Sequence, residues 1–301
     1  MAMSKKTLNT LRIDAGEKFH IADHSADWLP PAAREIDKEE RKKIAEMMLE
    51  ESKAELAQAQ ELLYADGRHA ILIIFQAMDA AGKDGTISHV MSGVNPQGCS
   101  VSSFKVPSAE EFSHDYLWRY SKALPARGMI GIFNRSYYEE TLVVKVHPQI
   151  LEKAHLPDSA LGKDIWKGRY EDINAFEEHL ARNGTTILKF FLNVSKQEQK
   201  KRFLERLETP EKNWKFSSGD ITERGYWDDY MKAFEDTINA TSTKWAPWYV
   251  IPADRKWAMR AAVADIISTT ISDLPLEYPE LPEDEAARLA EAKASLLAEK
   301  D

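Results

Sequence analysis

Two rhythms of apolar residues run through the chain. Short continuous or near-continuous runs occur at Ile71–Phe75, Met129–Phe133, Thr185–Val194 and Trp248–Pro252, with a moderately alternating one at Ser100–Val106. Runs of this length, rich in Val, Ile and Phe and bounded by Gly, Pro or Asn, predict strands buried on both faces. Between them the spacing becomes helical. Residues 33–63 carry Ile36, Ile44, Met47, Met48, Leu56, Leu62 and Leu63 among charges, and Asp66-Gly67 ends them. Ile87, Val90 and Met91 predict a helix from Thr86 onward, and residues 109–124 one capped by Ser108, with Phe112, Tyr116, Leu117 and Tyr120 inward. Ile165–Asn183, a Ser195-capped helix KQEQKKRFLERLE and residues 256–274 complete the set.

Strands alternating with helices predict an α/β fold: a three-layer α/β/α sandwich around a five-stranded parallel sheet. Residues 1–33 read as an extended arm with little regular structure, and residues 34–280 as one domain. Residues 281–301, with an Ala/Glu/Lys/Leu-rich stripe of Leu289, Ala292, Leu296 and Leu297, read as a peripheral helix or tail.

Composition narrows the function. A net charge of −9 argues against a generally basic nucleic-acid surface, so any polyanion must meet locally concentrated positive charge. The single cysteine, Cys99, excludes an intrachain disulfide and reads as a small core residue at the start of a strand. No segment approaches transmembrane length and the first residues lack a signal-peptide core. A soluble cytoplasmic protein without membrane or nucleic-acid partners is expected.

The chemistry concentrates at ILIIFQAMDAAGKDGT, residues 71–86. A strand, a turn of small residues and a helix bring backbone N–H groups and a helix N-terminus to one point, and Lys83 adds a full charge. This is a phosphate loop that departs from G-x-x-x-x-G-K-[ST]: Ala77 replaces the first glycine and Asp84 the hydroxyl. Asp79 and Asp84 bracket the lysine, so a carboxylate rather than a hydroxyl is expected to hold Mg²⁺. Asn134-Arg135-Ser136-Tyr137-Tyr138-Glu139-Glu140 directly follow the third strand, where ligands of open α/β sheets sit. Arg135 suits phosphate, and Glu139 lies one helical turn on. Lys196, Lys200, Lys201, Arg202, Arg206, Lys212, Lys215 and Arg224 then concentrate basic charge, interleaved with Glu residues that equally fit a solvated surface. With Trp214 and Trp227, residues 196–232 have the form of a lid that closes over phosphates and excludes water.

The motifs QAMDAAGKDGTI, VNPQG, FNRSYYEE, TTILKFFLNVS, EKNWKF and TSTKWAPWYVIPAD, spread over residues 36–274, resemble the polyphosphate kinase 2 family. The resemblance implies a P-loop kinase-like fold and Mg²⁺-dependent transfer (Mn²⁺ as an alternative) between inorganic polyphosphate and AMP, ADP or ATP. It also implies a homodimer or homotetramer. Asp79, Lys83, Arg135 and Glu139 then take the catalytic positions, with Mg²⁺ on Asp79 and also on Glu139. Ala80, Ala81, Gly82, Lys83, Asp84 and Gly85 contact phosphate, and Lys200, Lys201, Arg202, Arg206, Lys212 and Lys215 meet the phosphate chain. Asn95, Arg119, Asn134, Arg135 and Tyr138 take the nucleotide. Asn134 stands where many members have Asp. With Glu139 it resembles the class III subgroup, which implies transfer to both mono- and diphosphates. The competing readings are an ATP-dependent nucleoside or nucleotide kinase and a non-catalytic nucleotide- or polyanion-binding protein.

Overall fold

The computed structural model describes residues 5–299; the outermost ends of the arm and of the tail, residues 1–4 and 300–301, lie outside the described residues. Six strands form one sheet: β1 (Arg12–Ile13), β2 (Ala70–Gln76), β3 (Cys99–Ser103), β4 (Ile130–Asn134), β5 (Thr185–Asn193) and β6 (Trp248–Pro252). Their spatial order is β1-β6-β5-β2-β4-β3. All neighbours are parallel except β1, which pairs antiparallel with β6 through Arg12–Tyr249 and Ile13–Trp248. The expected parallel five are therefore present, and the arm supplies a sixth. Sequence pattern could not find a two-residue edge strand, because it has no period to show.

Burial explains the strand pattern. Every residue of β2 is buried, as a central parallel strand covered on both faces requires. The edge strand β3 is largely exposed and less apolar.

Eight helices among the described residues are eight residues or longer. They are α1 (Lys38–Asp66), α2 (Lys83–Val90), α3 (Ile165–Arg182), α4 (Lys196–Glu208), α5 (Ser218–Gly225), α6 (Trp227–Thr241), α7 (Lys256–Ser272) and α8 (Glu283–Ala298). α7 packs along α1 and against α2 in one layer, and α3 packs on β5 and α6 in the other. Asp37 starts α1 later than the apolar pattern predicts, its carboxylate accepting from the Glu39 and Glu40 amides at 2.8 and 3.3 Å. Gly67, at φ 63°, ends it where expected.

The helix expected over 109–124 is instead two single turns, Ala109–Phe112 and Trp118–Ser121. The Asp115 carboxylate between them accepts from the Leu117 amide at 2.9 Å, starting the second turn afresh. α2 begins at Lys83 rather than Thr86, so the phosphate loop is shorter and the lysine sits in the helix's first turn.

Candidate active site

The loop between β2 and α2 has two residues with positive φ, Ala80 at 59° and Gly82 at 114°. Only Gly82 adopts this without penalty; Ala80 is strained. The first-turn amides of α2 have no intrahelical acceptor, so this end of the sheet presents free N–H groups to an anion. Lys83 lies beneath the loop, largely buried, donating to the Ala77 carbonyl at 2.9 Å and weakly to that of Met78 at 3.4 Å. Burial pushes its pKa down and Arg135 adds to that, while Asp79, Glu139 and Asp84 oppose the shift.

β4 runs beside β2 in register, Ile74 opposite Phe133 and Phe75 opposite Asn134. This pairing delivers Asn134 and Arg135 to the loop. Arg135 has φ 65°, a conformation an arginine adopts at a cost, and its amide is held by the Phe75 carbonyl at 3.1 Å. Its guanidinium donates to Asp79 Oδ1 at 2.8 Å and lies 3.5 Å from Glu139 Oε2. The two carboxylates, Glu139 first, hold Arg135 more firmly protonated than an ordinary arginine. Burial raises the pKa of Glu139, against the pull of Arg135 and Lys83. The amide of Gln76 at the end of β2 bridges Ser136 and Glu139, with donation to Glu139 Oε1 over 2.9 Å. Asn134 Nδ2 donates to Asp84 Oδ1 at 2.7 Å, tying the end of β4 to the start of α2.

Behind Arg135 and Glu139 opens a cavity of about 340 Å³, lined on its far sides by Phe104, Tyr116, Arg119, Val144, Ile150 and Leu156. Its size and mixed lining suit a nucleotide-sized ligand. Arg119 lies over the Phe104 and Tyr120 rings at 5.2 and 4.8 Å, and donates to the Lys105 carbonyl at 2.9 Å. The Arg169–Glu140 pair, at 2.5 Å, closes another wall.

The polyphosphate kinase 2 (PPK2) family matches residues 37–278. The chain belongs to this family. It is 54% identical over 243 residues to an ADP-polyphosphate phosphotransferase of Rhodopseudomonas palustris, covering 80% of this chain and 84% of that one. It is 48% identical over 225 residues to an AMP/ADP-polyphosphate phosphotransferase of Meiothermus ruber, covering 75% and 80%. Its fold superposes on the crystal structure of polyphosphate kinase 2 from Arthrobacter aurescens TC1 with a TM-score of 0.86 at 39% identity, over 98% of each chain. The α/β/α, P-loop kinase-like architecture is thereby shared with a solved PPK2.

Several expected site residues of this PPK2 chain lie elsewhere. Asn95 is exposed and caps a turn at the amino end of β3, its side chain accepting from the Gln97 amide at 3.0 Å. Parallel pairing places that turn at the opposite end of the sheet from Asn134 and Arg135. Tyr138 is fully buried. Its hydroxyl donates to Glu177 at 2.7 Å and accepts from Lys189 at 2.8 Å, so its polar group serves the core. The basic stretch divides. Lys200, Lys201 and Lys212 are exposed. Arg206 reaches Asp220 at 3.3 Å. Arg202 is 5% exposed and turns inward to the loop. The side chain of Lys215 lies outside what the structure describes. Gln76, Gln199 and Asp220 were not foreseen. Burial and the Asp79 charge raise the pKa of Asp220, and the Arg206 and Arg135 charges oppose this, which places α5 in the field of the site. Gln76 opens the motif QAMDAAGKDGTI without a role attached to it, and no motif marks Gln199, because an amide in a strand end or a polar helix reads as ordinary.

Among the described residues, no helix is long and apolar enough to cross a membrane, and no cluster of three or more His, Cys, Asp or Glu forms a cation cage. The donor set still fits Mg²⁺, which takes one or two carboxylates and completes its shell with water and substrate phosphate. Asp79 is one-third exposed, and its Oδ1 alone is engaged by Arg135. Glu139 fits less well: Gln76 and Arg135 approach its two oxygens, and burial favours its neutral form.

Proposed function

We propose that this PPK2 enzyme, a polyphosphate-dependent nucleotide phosphotransferase, passes phosphoryl groups from inorganic polyphosphate to both ADP and AMP, with the reverse transfer open to it. The observation that carries the reading is the convergence of Asp79, Lys83, Arg135 and Glu139 at the carboxyl ends of β2 and β4, beside a cavity of about 340 Å³. The named activities of the two relatives support it.

Phosphoryl transfer needs positioning and charge neutralisation more than covalent help. The amides of residues 80–85 and the Lys83 ammonium take up negative charge from the donor phosphate. Arg135, between loop and cavity, neutralises charge on the group in flight. The acceptor phosphate oxygen of ADP or AMP is already anionic near neutral pH, so no general base is required. That accounts for a neutral Asn134 at the strand end, where its amide fixes Asp84 instead of taking a proton. A divalent cation is expected in this family; Asp79 would hold Mg²⁺, which screens phosphate charge when bound. The exposed Lys200, Lys201 and Lys212 attract the phosphate chain, and residues 196–232 serve as the lid. The 34–280 unit carries the reaction. The exposed leucines of α8 fit a homodimer or homotetramer, which light scattering measures.

The test is direct. Purified protein with polyphosphate and Mg²⁺ is given AMP, ADP, GMP and GDP in turn. ATP from ADP and ADP from AMP are expected. No ADP from AMP removes the monophosphate part, and no product from either overturns the reading.

A further inference from the structure

Three consecutive carbonyls of the phosphate loop are taken up by one face of α4. Gln199 Nε2 donates to the Asp79 carbonyl at 2.9 Å. Arg202 Nη1 donates to the Ala81 carbonyl at 2.6 Å and the Ala80 carbonyl at 3.3 Å. Gln199 and Arg202, three apart on the helix, are 1% and 5% exposed. Arg202 spends its remaining donors inside the protein: Nη2 on the Ala253 and Asp254 carbonyls at 2.6 and 3.1 Å, and Nε on Glu198 at 2.9 Å. A Cβ added at Gly82 would sit 3.7 Å from Arg202 Nη1 and 3.2 Å from Met259 Cε, so the glycine admits this close approach as well as its own φ of 114°.

A guanidinium with its edges committed to four backbone carbonyls and the Glu198 carboxylate has nothing left for a phosphate chain. What it fixes is shape. Carbonyls held toward α4 leave the loop's amides turned to the opposite side, and they hold Ala80 at a φ of 59° that it would otherwise relax. The hold continues outward. Arg224, in the last turn of α5, donates to Gln199 Oε1 and to the Lys196 carbonyl, both at 2.7 Å. Gln199 thus accepts from α5 and donates to the residue whose carboxylate faces Arg135.

We propose that Gln199 and Arg202 are positioning residues of the transfer reaction, which hold the phosphate loop in its strained, amide-presenting shape, and that Arg224 links this hold to α5. The inference rests on the phosphate-loop role assigned above.

Four variants test it: Gln199→Met, Gln199→Glu, Arg202→Lys and Arg202→Met. Lysine keeps the charge but cannot fork to four carbonyls. Glutamate still accepts from Arg224 but sets a carboxylate against the Asp79 carbonyl. Each variant is expected to lower kcat by about 10- to 100-fold, the cost of a slightly misplaced reacting group, while KM for polyphosphate and ADP stays within about 3-fold. Arg202→Lys should be nearly as impaired as Arg202→Met. An active Arg202→Lys, a wild-type kcat in Gln199→Glu, or a raised KM for polyphosphate with kcat intact would each overturn the proposal, the last by making Arg202 a phosphate ligand. Hydrogen exchange separates this from failure of the functional reading. If the wild type transfers no phosphate, that reading falls alone. The positioning role then stands only if Gln199→Met and Arg202→Lys speed exchange of the amides of residues 77–86 while β2 stays protected, and falls if those amides exchange as in the wild type.

Discussion

At position 83 the fold places an ammonium group under a turn of backbone, where burial works against its charge. The folded-state pKa of Lys83 lies below the ordinary 10.5, so between those two values the unfolded chain binds more protons than the native one. Stability contributed at this position is therefore complete above about pH 10.5 and diminishes as the pH falls toward the folded pKa. Urea unfolding of wild type and Lys83→Met between about pH 8 and pH 10 should show the difference moving in favour of wild type as pH rises. A pH-independent difference would mean that the site leaves the lysine's pKa unshifted. Arg135 bears a different strain, a φ of 65° in a non-glycine residue, and its two carboxylate partners fix its direction. Arg135→Lys keeps the charge and the backbone cost but loses the fork. A fall in kcat of about 100-fold or more is expected in steady-state assays with saturating substrates. Gly82, Lys83 and Arg135 were legible because a strand end, a glycine and a helix start leave marks in sequence. The inward turn of Arg202 was not legible. In KQEQKKRFLERLE its charge looks like its neighbours' charges, and only the docking of α4 decides which of them face solvent.

The elements show the same limit in reverse. β5 reads as an apolar strand, and it is one, yet it carries Lys189 with no exposure at all. Its ammonium reaches Glu177 on α3 at 2.7 Å, the Tyr138 hydroxyl at 2.8 Å and the Thr241 carbonyl on α6 at 2.7 Å. Tyr137 and Tyr138 donate to the other Glu177 oxygen at 2.8 and 2.7 Å. One strand lysine thereby joins β5, α3, α6 and the turn after β4 that carries Glu139. Periodicity located β5 and α3 but is blind to a polar residue whose partners come from three places in the chain, and so Tyr138 read as a ligand group. Lys189→Met strands a buried carboxylate and should cost about 3–5 kcal/mol in urea unfolding. Glu177→Gln added to that variant removes the stranded charge and still accepts from both tyrosines. It should return about 1 kcal/mol or more, a non-additivity that independent sites would not give.

At the scale of the molecule, the arm is the part that sequence under-read, and it reaches the site through the sheet. Leu8, Leu11, Ile13, Phe19 and Leu29 are buried, and β1 covers the edge of β6, the Leu11 carbonyl accepting from Val250 at 2.7 Å. Farther along, the His24 carbonyl accepts from Asn193 Nδ2 at 2.7 Å and the Ala26 carbonyl accepts from the Asp254 amide at 3.1 Å. Asp254 in turn accepts from the Ser195 amide through Oδ1 at 2.8 Å, at the cap of α4, and its carbonyl is one of the four that hold Arg202. The arm is thus two hydrogen bonds from the residue that shapes the phosphate loop. Removing residues 1–27 takes away four of the five buried side chains, each worth up to about 1.5–3 kcal/mol, and bares a sheet edge. A stability loss of several kcal/mol and a tendency to associate are expected. The catalytic consequence is the sharper test. If the arm is only a cover, the truncated protein that remains folded, quantified by circular dichroism at low temperature, transfers phosphate at the wild-type kcat. If it braces α4 through Asp254, kcat falls on the order of 10-fold with KM little changed, and Asp254→Asn in the full chain, which weakens the cap of α4 without touching the core, reproduces part of that fall.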